Sequence, residues 1–365
     1  MKVFHIITHI DLGGAERIAI NIAKGGTTAG IEMHVVEVLR SNSAMTPVMI
    51  KEMKEAGITV HRAPIPLLFR YHYIMEKILA WCFPLWFIWI WCKHRPDVIH
   101  THTEIPDIAT FSLCKLFPFV HTKIVRTIHN TKLWSGMEYT GNKIEHFMQR
   151  HNANVSISSS VQKCYNASYH ELTPIIYNGI EQAGQQPYTH IKQGKKNVCF
   201  AGRLEEQKGI NTLCKVVKAL KDDTRYHFHI FGSGRLQPMV EELTGLPNVS
   251  INPPLNNLSS YLSSFDYVFM PSLHEGLATL SIEASFAHTL VLANRAEGLV
   301  DTLPEDWPLI VNDNDLELWI DLFTNTLPAI DYEGLATTAL QHTLRYFTLE
   351  KMQEQYFKFY TNSLL

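Results

Sequence analysis

The feature that most constrains this chain is an alternation that runs through it twice. Short apolar stretches of strand length each end in a polar or glycine-bearing turn and are followed by a helical pattern, the signature of β-α-β units on a parallel sheet. KVFHIITHI predicts a strand ending in the turn DLGG. AERIAINIAKGG then predicts a helix with Ile18 and Ile22 on one face, closed by Gly25-Gly26. EMHVVEVL, TVHRA, PDVIHTH, KIVRTIHN and NVSISSS read as further strands, with helices at MIKEMKEAGI and VQKCYNASY. After the polar stretch EQAGQQPYTHIKQGKK, which reads as a linker, the alternation restarts. NVCFAGRL, YHFHIFGSG, NVSINPP, DYVFMPS and TLVLAN are the strands, with helices from Gly209 to about Leu220 and from about Leu280 to Phe286. The predicted architecture is α/β, two Rossmann-like doubly wound domains facing across a cleft, at 1–178 and 179–346. The amphipathic segment 347–365 packs back on the first.

Composition agrees with two folded domains. The 365 residues exceed one ordinary core, and 46% hydrophobic with 18% charged residues excludes a disordered or fibrous chain. A net charge of −3 argues against a general nucleic-acid binder. The six cysteines lack any C-x-x-C pair, so they read as unpaired thiols in a reducing compartment. The apolar start at residues 3–10 runs straight into Asp11 without a cleavage site and reads as a strand, not a secretory signal. Charge is divided unevenly. Residues 1–170 hold 18 Lys+Arg against 12 Asp+Glu, and residues 171–365 hold 14 against 23, so the first domain is the one suited to an anionic partner.

Residues 78–92, ILAWCFPLWFIWIWC, carry no charge and are bracketed by Lys77 and Lys93. A bilayer span takes about 20 apolar residues, and this run is shorter and contains Pro84. Two readings remain: a buried helix of the first domain, or an interfacial segment whose tryptophans favour the lipid headgroup region.

Three strand-to-helix connections could carry chemistry. In the first, Asp11-Leu12-Gly13-Gly14-Ala15-Glu16-Arg17, paired glycines let the backbone approach a ligand and the helix start offers N–H groups to phosphate. In the second, Gly202-Arg203-Leu204-Glu205-Glu206-Gln207-Lys208-Gly209, an Arg fork and a Lys point charge suit a diphosphate; the plainer reading is a solvated loop neutralised by Glu205 and Glu206. In the third, His274-Glu275-Gly276-Leu277-Ala278-Thr279-Leu280-Ser281-Ile282-Glu283, Glu275 falls in the loop and Glu283 on the following helix. Two carboxylates about a helix start suit sugar and ribose hydroxyls, while the N–H groups of residues 277–280 suit phosphate. No G-x-G-x-x-G or G-x-x-x-x-G-K-[ST] loop occurs, which speaks against a nicotinamide dehydrogenase. His100 and His102 in H-T-H lack the carboxylate or cysteine set of a metal site and read as a polar strand end.

GGAER near the start, RPDVIHTH at 95–102, GRLEEQKG at 202–209 and EGLATLSIE at 275–283 together resemble glycosyltransferase family 4, in that family's order and over essentially the whole chain. The resemblance implies the GT-B fold, a nucleotide-sugar donor (UDP-linked in the leading expectation) and no metal or other cofactor. It further implies transfer of a hexose or N-acetylhexosamine with retention, onto a glycan or polyprenyl-linked acceptor in bacterial cell-surface polysaccharide synthesis. By position, Glu275 would contact the donor sugar and Glu283 the ribose. Arg203 and Lys208 would hold the diphosphate, and His129 would sit beside the sugar. Gly13 and Gly14 would approach from the other domain, and Gly232, Leu255, Gly276, Leu277, Ala278, Thr279 and Leu280 would line the donor. The chain departs from the family's usual G-F-G-[LIV]-P with G-L-A-T-L, lacks Gly-Pro before TLVLAN, and has prolines in INPPLNN, so sugar and base stay open. A non-catalytic binding protein of a polysaccharide assembly complex and a nucleotide-sugar epimerase of the same fold are the competing readings. The implied location is cytoplasmic, with residues 78–92 as the expected contact for a peripheral attachment to the inner membrane face.

Overall fold

The computed structural model describes residues 1–11, 13–65 and 72–362. Leu12 of the first glycine loop lies outside them. Two compact units result, one of Met1–Gly179 with Leu349–Leu365, the other of Ile180–Thr348.

The first unit holds β1 (Lys2–Ile7), β2 (Glu32–Glu37), β3 (Thr59–His61), β4 (Val98–Thr101), β5 (Lys123–Ile128) and β6 (Asn154–Ser156). They pair in parallel in the order β3-β2-β1-β4-β5-β6. Both faces are covered. On β1, Val3 and Ile7 enter one hydrophobic cluster with helices Gly14–Thr28 and Leu349–Thr361, while Phe4 and Ile6 enter another with Phe83, Phe87 and Ile108. This two-residue alternation is the pleat of a strand buried on both sides.

The second unit repeats the plan with β7 (Lys196–Ala201), β8 (Tyr226–Phe231), β9 (Val249–Asn252), β10 (Tyr267–Met270), β11 (Leu290–Asn294) and β12 (Ile310–Val311), ordered β12-β11-β10-β7-β8-β9. In both units strand order reverses once, between β1 and β4 and between β7 and β10. Open α/β sheets bind ligands in the crevice beyond the carboxyl ends at such points.

Four local expectations change. The first helix does not stop at Gly25-Gly26 but runs to Thr28. A Cβ on Gly26 would lie 1.8 Å from the Met33 methyl, and one on Gly25 would lie 2.1 Å from Gln353, so these glycines let a strand and the C-terminal helix approach. Residues 78–92 belong to two helices, His72–Cys82 and Pro84–His94, bent by 42° at Phe83 because Pro84 supplies no N–H donor. The stretch 181–196, read as linker, belongs to the second unit: Gln186 N–H donates to Ser260 O, and the Tyr188 ring lies 5.5 and 5.6 Å from those of Phe265 and Phe231. The short edge strand β12 lacked a strand-length apolar run.

Candidate active site

In the second unit, the connections leaving β7 and β10 lie beside one another at the reversal point. Gly209 (φ +68°) is the C-cap of the short turn Glu206–Lys208 and the N-cap of helix Ile210–Ala219; a Cβ there would fall 1.9 Å from Pro271 O. Only glycine allows both that dihedral and that contact. The loops are stitched by Leu273 N–H to Gln207 O at 2.8 Å and Gln207 Nε2 to His274 O at 3.0 Å.

This stitching puts Lys208 Nζ 2.6 Å from Glu275 Oε1, with side-chain exposures of 22% and 9%. Removing either partner would leave a largely buried charge uncompensated. Glu275 is itself held by backbone: its N–H donates to Glu297 O, and Ala278 N–H donates to Gly298 O. Gly298 has φ +72°, and a Cβ on it would lie 2.0 Å from Glu275 O. Arg203 is exposed at the mouth of the same loop, its Nη2 3.5 Å from Gln207 Oε1. The reading in which Glu205 neutralises this loop does not hold for Lys208. Glu205 instead accepts from Arg235, at 3.0 Å from its N–H and 3.4 Å from its Nε.

Helix Thr279–Phe286 begins directly after this loop, with no side-chain cap at Ala278. The first-turn N–H groups, including those of Thr279 and Leu280, have no acceptor within the helix. Gly276 and Leu277 lie between Glu275 and that start, half-buried. Glu283 sits one turn from the helix end, and burial pushes its carboxyl up to about 7. Gly232 follows β8 and backs the β7 turn; a Cβ on it would lie 2.2 Å from Gly202 O. Leu255, on the loop after β9, packs against the core of this unit. Thus Arg203, Lys208, Glu275 and residues 276–280 are gathered along one edge of the sheet, with Glu283 on the helix that leaves it.

Gly13, Gly14 and His129 belong to the first unit. Gly13 is the N-cap of helix Gly14–Thr28, and the space a Gly14 Cβ would occupy is open to 4 Å, leaving backbone accessible. His129 follows β5, its Nε2 buried without a hydrogen-bond partner. It joins His5, His100 and His102 at adjacent strands: His5 Nδ1 lies 3.0 Å from His102 Nε2, and the His102 and His129 ring centroids are 5.9 Å apart. Burial lowers His5 to about 3 and His129 to about 4, so these imidazoles are neutral near pH 7. Both nitrogens of His100 are 2.7 Å from hydroxyls, of Tyr360 and Thr127, which makes it a hydrogen-bonded core group.

Sequence reasoning missed Gln207, Gly298 and two asparagines that brace the β10 loop. Asn294 Nδ2 donates to Ser272 O at 3.0 Å, and Asn314 Nδ2 donates to Pro271 O at 2.8 Å. The E-G-L at 297–299, a second copy of the E-G-L at 275–277, was the available signal.

A doubled Rossmann-like chain with a cation–carboxylate pair and a helix start at one strand reversal is built to receive an anionic, hydroxyl-bearing ligand. Sequence comparison makes the class specific. Residues 12–183 match the pattern of Glycosyltransferase Family 4, and residues 195–327 match that of Glycosyl transferases group 1. The chain belongs to the family 4 glycosyltransferases and has their GT-B fold. It is 23% identical over 316 residues to the capsular polysaccharide biosynthesis glycosyltransferase CapH of Staphylococcus aureus, covering 80% of this chain and 81% of that one. Among solved structures, a glycosyltransferase from Rickettsia africae superposes with TM-score 0.78 at 15% identity, covering 100% of this chain and 98% of that one. Anabaena HepE, in complex with UDP-glucose, superposes with TM-score 0.71 at 17% identity, covering 99% and 100%.

Proposed function

We propose that the chain is a retaining glycosyltransferase that moves a hexose or N-acetylhexosamine from a UDP-sugar to a glycan or polyprenyl-linked glycan in cell-surface polysaccharide synthesis. The observation that carries this reading is the Lys208–Glu275 pair, 2.6 Å apart at the β7/β10 reversal. Its two halves have complementary uses. Lys208, with Arg203, neutralises the diphosphate as it departs, and Glu275, drawn from its cation, accepts hydrogen bonds from the donor sugar's hydroxyls. The N–H groups at the start of helix Thr279–Phe286 receive phosphate oxygens, and Glu283 receives the ribose. No protein nucleophile is required, since the leaving-group phosphate can take the acceptor's proton. His129, neutral at working pH, serves as a hydrogen-bonding contact to the sugar rather than as a charge. The likeness to CapH supports the polysaccharide setting, and HepE's complex supports a UDP-linked donor.

The test is transfer from a panel of UDP-sugars, with donor binding read separately by thermal stabilisation. Lys208→Ala and Glu275→Gln should each lower turnover by about 10²–10³, the usual loss when a charge-stabilising group is removed; because either change also leaves a largely buried charge unpaired, turnover is compared at a temperature where the urea midpoint shows the variant folded. Full turnover in either variant would refute the assignment. Sugar-nucleotide conversion with no acceptor present would instead favour an epimerase.

A further inference from the structure

One helical face in the first unit is apolar where a water-facing helix is ordinarily polar. Across His72–Cys82 and Pro84–His94 the exposed positions include Ile78, Trp81, Cys82, Leu85, Trp89 and Cys92, recurring every three or four residues and therefore on one side. Leu85 is 65% exposed and Trp89 78%. The opposite side is occupied: Ala80, Phe83, Phe87 and Trp91 are buried in the unit's core. Helix Glu104–Leu116 packs against this pair, with Trp81 edge-on to Phe111 at 5.9 Å, and it ends in exposed Leu116, with exposed Phe119 in the loop beyond. Lone exposed hydrophobics need no explanation, but a continuous face with two tryptophans does.

The charges around this face are mainly positive. Lys77 precedes it, Lys93 and Arg95 follow, and Lys115 sits beside Leu116; the acids beside it include Glu76, next to Lys77, and Glu138, which lines the same hollow as Lys77 and Trp81. The Arg95 guanidinium stands 5.2 Å from the Trp91 ring centroid. We propose that this face lies in the headgroup region of a bilayer rich in anionic lipid, Trp81, Leu85 and Trp89 entering the acyl boundary and the flanking Lys and Arg side chains meeting lipid phosphates. Among the described residues no single helix is long and apolar enough to cross a membrane; the bent pair together has the length and composition of a broken span, but one of its sides is buried in the unit's core. A helix with one apolar face free and cations at its ends lies along the interface. That the surface brings the unit to a polyprenyl-linked acceptor rests on the transferase reading; the lipid contact itself rests on the helix face alone.

The experiment uses the full chain and unilamellar vesicles, of phosphatidylcholine alone or with phosphatidylglycerol at one third. Sedimentation should show binding to the anionic vesicles that weakens as salt rises. An environment-sensitive dye on the exposed Cys82 and Cys92 should shift to the blue on binding. Leu85→Glu with Trp89→Glu should weaken binding by about a hundredfold, at tenfold or more for each large apolar side chain kept from burial, while stabilisation by the donor is retained. Equal binding by the double variant, or no binding by the parent chain, overturns the proposal. So does a lipid-free dimer that the same substitutions dissociate, since the face would then belong to a second copy. Vesicle binding without sugar transfer would sink the transferase reading and leave the lipid face standing.

Discussion

Glu283 offers a quantitative test of the proposed donor pocket, because burial has placed its titration at the working pH. The carboxyl is pushed up from 4.5 to about 7. It is therefore mostly ionised at pH 8 and mostly protonated at pH 6. A ribose diol donates its hydroxyl protons best to the charged form, since hydrogen bonds to an ionised acceptor are about twice as strong as neutral ones. If binding selects the ionised carboxylate, the apparent Kd for a UDP-sugar is the intrinsic value divided by the ionised fraction. That fraction is roughly 0.9 at pH 8 and 0.1 at pH 6, so affinity should fall about tenfold, or about 1.4 kcal/mol, across two pH units. The sign follows from the raised value: the penalty is absent above it and grows as pH falls through it. Titration calorimetry with a UDP-sugar at pH 6, 7 and 8 measures the change, and repeating pH 6 in buffers of different ionisation heat should report close to one proton released on binding. Glu283→Gln should bind more weakly at pH 8 and show no such slope. A flat profile in the parent protein, or an unchanged slope in Glu283→Gln, would refute the reasoning.

Acid should weaken the first unit through its buried imidazoles. With His5 lowered to about 3, the unfolded chain takes up the proton first. Stability is fully present above about pH 6.5 and drops on acidification, by about 2 kcal/mol at pH 5 for this residue. Urea unfolding followed by tryptophan fluorescence should show that loss, and His5→Gln should reduce it by a comparable amount; an equal loss in the variant would exclude His5 as a source. Gly298→Ala should destabilise the second unit by at least about 1–2 kcal/mol from the left-handed backbone alone. Its Cβ, built 2.0 Å from the Glu275 backbone carbonyl oxygen, should also shift the Glu275 backbone and with it the side-chain carboxylate, so donor-induced stabilisation should fall in parallel; a variant with unchanged donor binding would show that the Glu275 loop tolerates movement.

What could be read from residue types was whatever a strand period or a turn requirement writes locally. The runs KVFHIITHI and NVCFAGRL announced β1 and β7, because a parallel strand buried on both faces must be nearly all apolar. The site's charged residues were legible for a related reason: Lys208 and Glu275 stand where a strand hands over to a helix, and sequence alone placed each on its own loop. It could not show that they touch. Their 2.6 Å contact depends on Gly209 letting one backbone pass against Pro271 and on Gly298 letting another pass against Glu275. Each closeness joins residues far apart in the chain, and no period encodes it. The same limit governs residues 78–92. Composition stated that the run is apolar, but whether such a helix is core or surface depends on what packs against it. Here Phe83, Phe87 and Trp91 found the core while Leu85 and Trp89 did not. That free face, and not the composition of the run, is what the proposed lipid contact rests on.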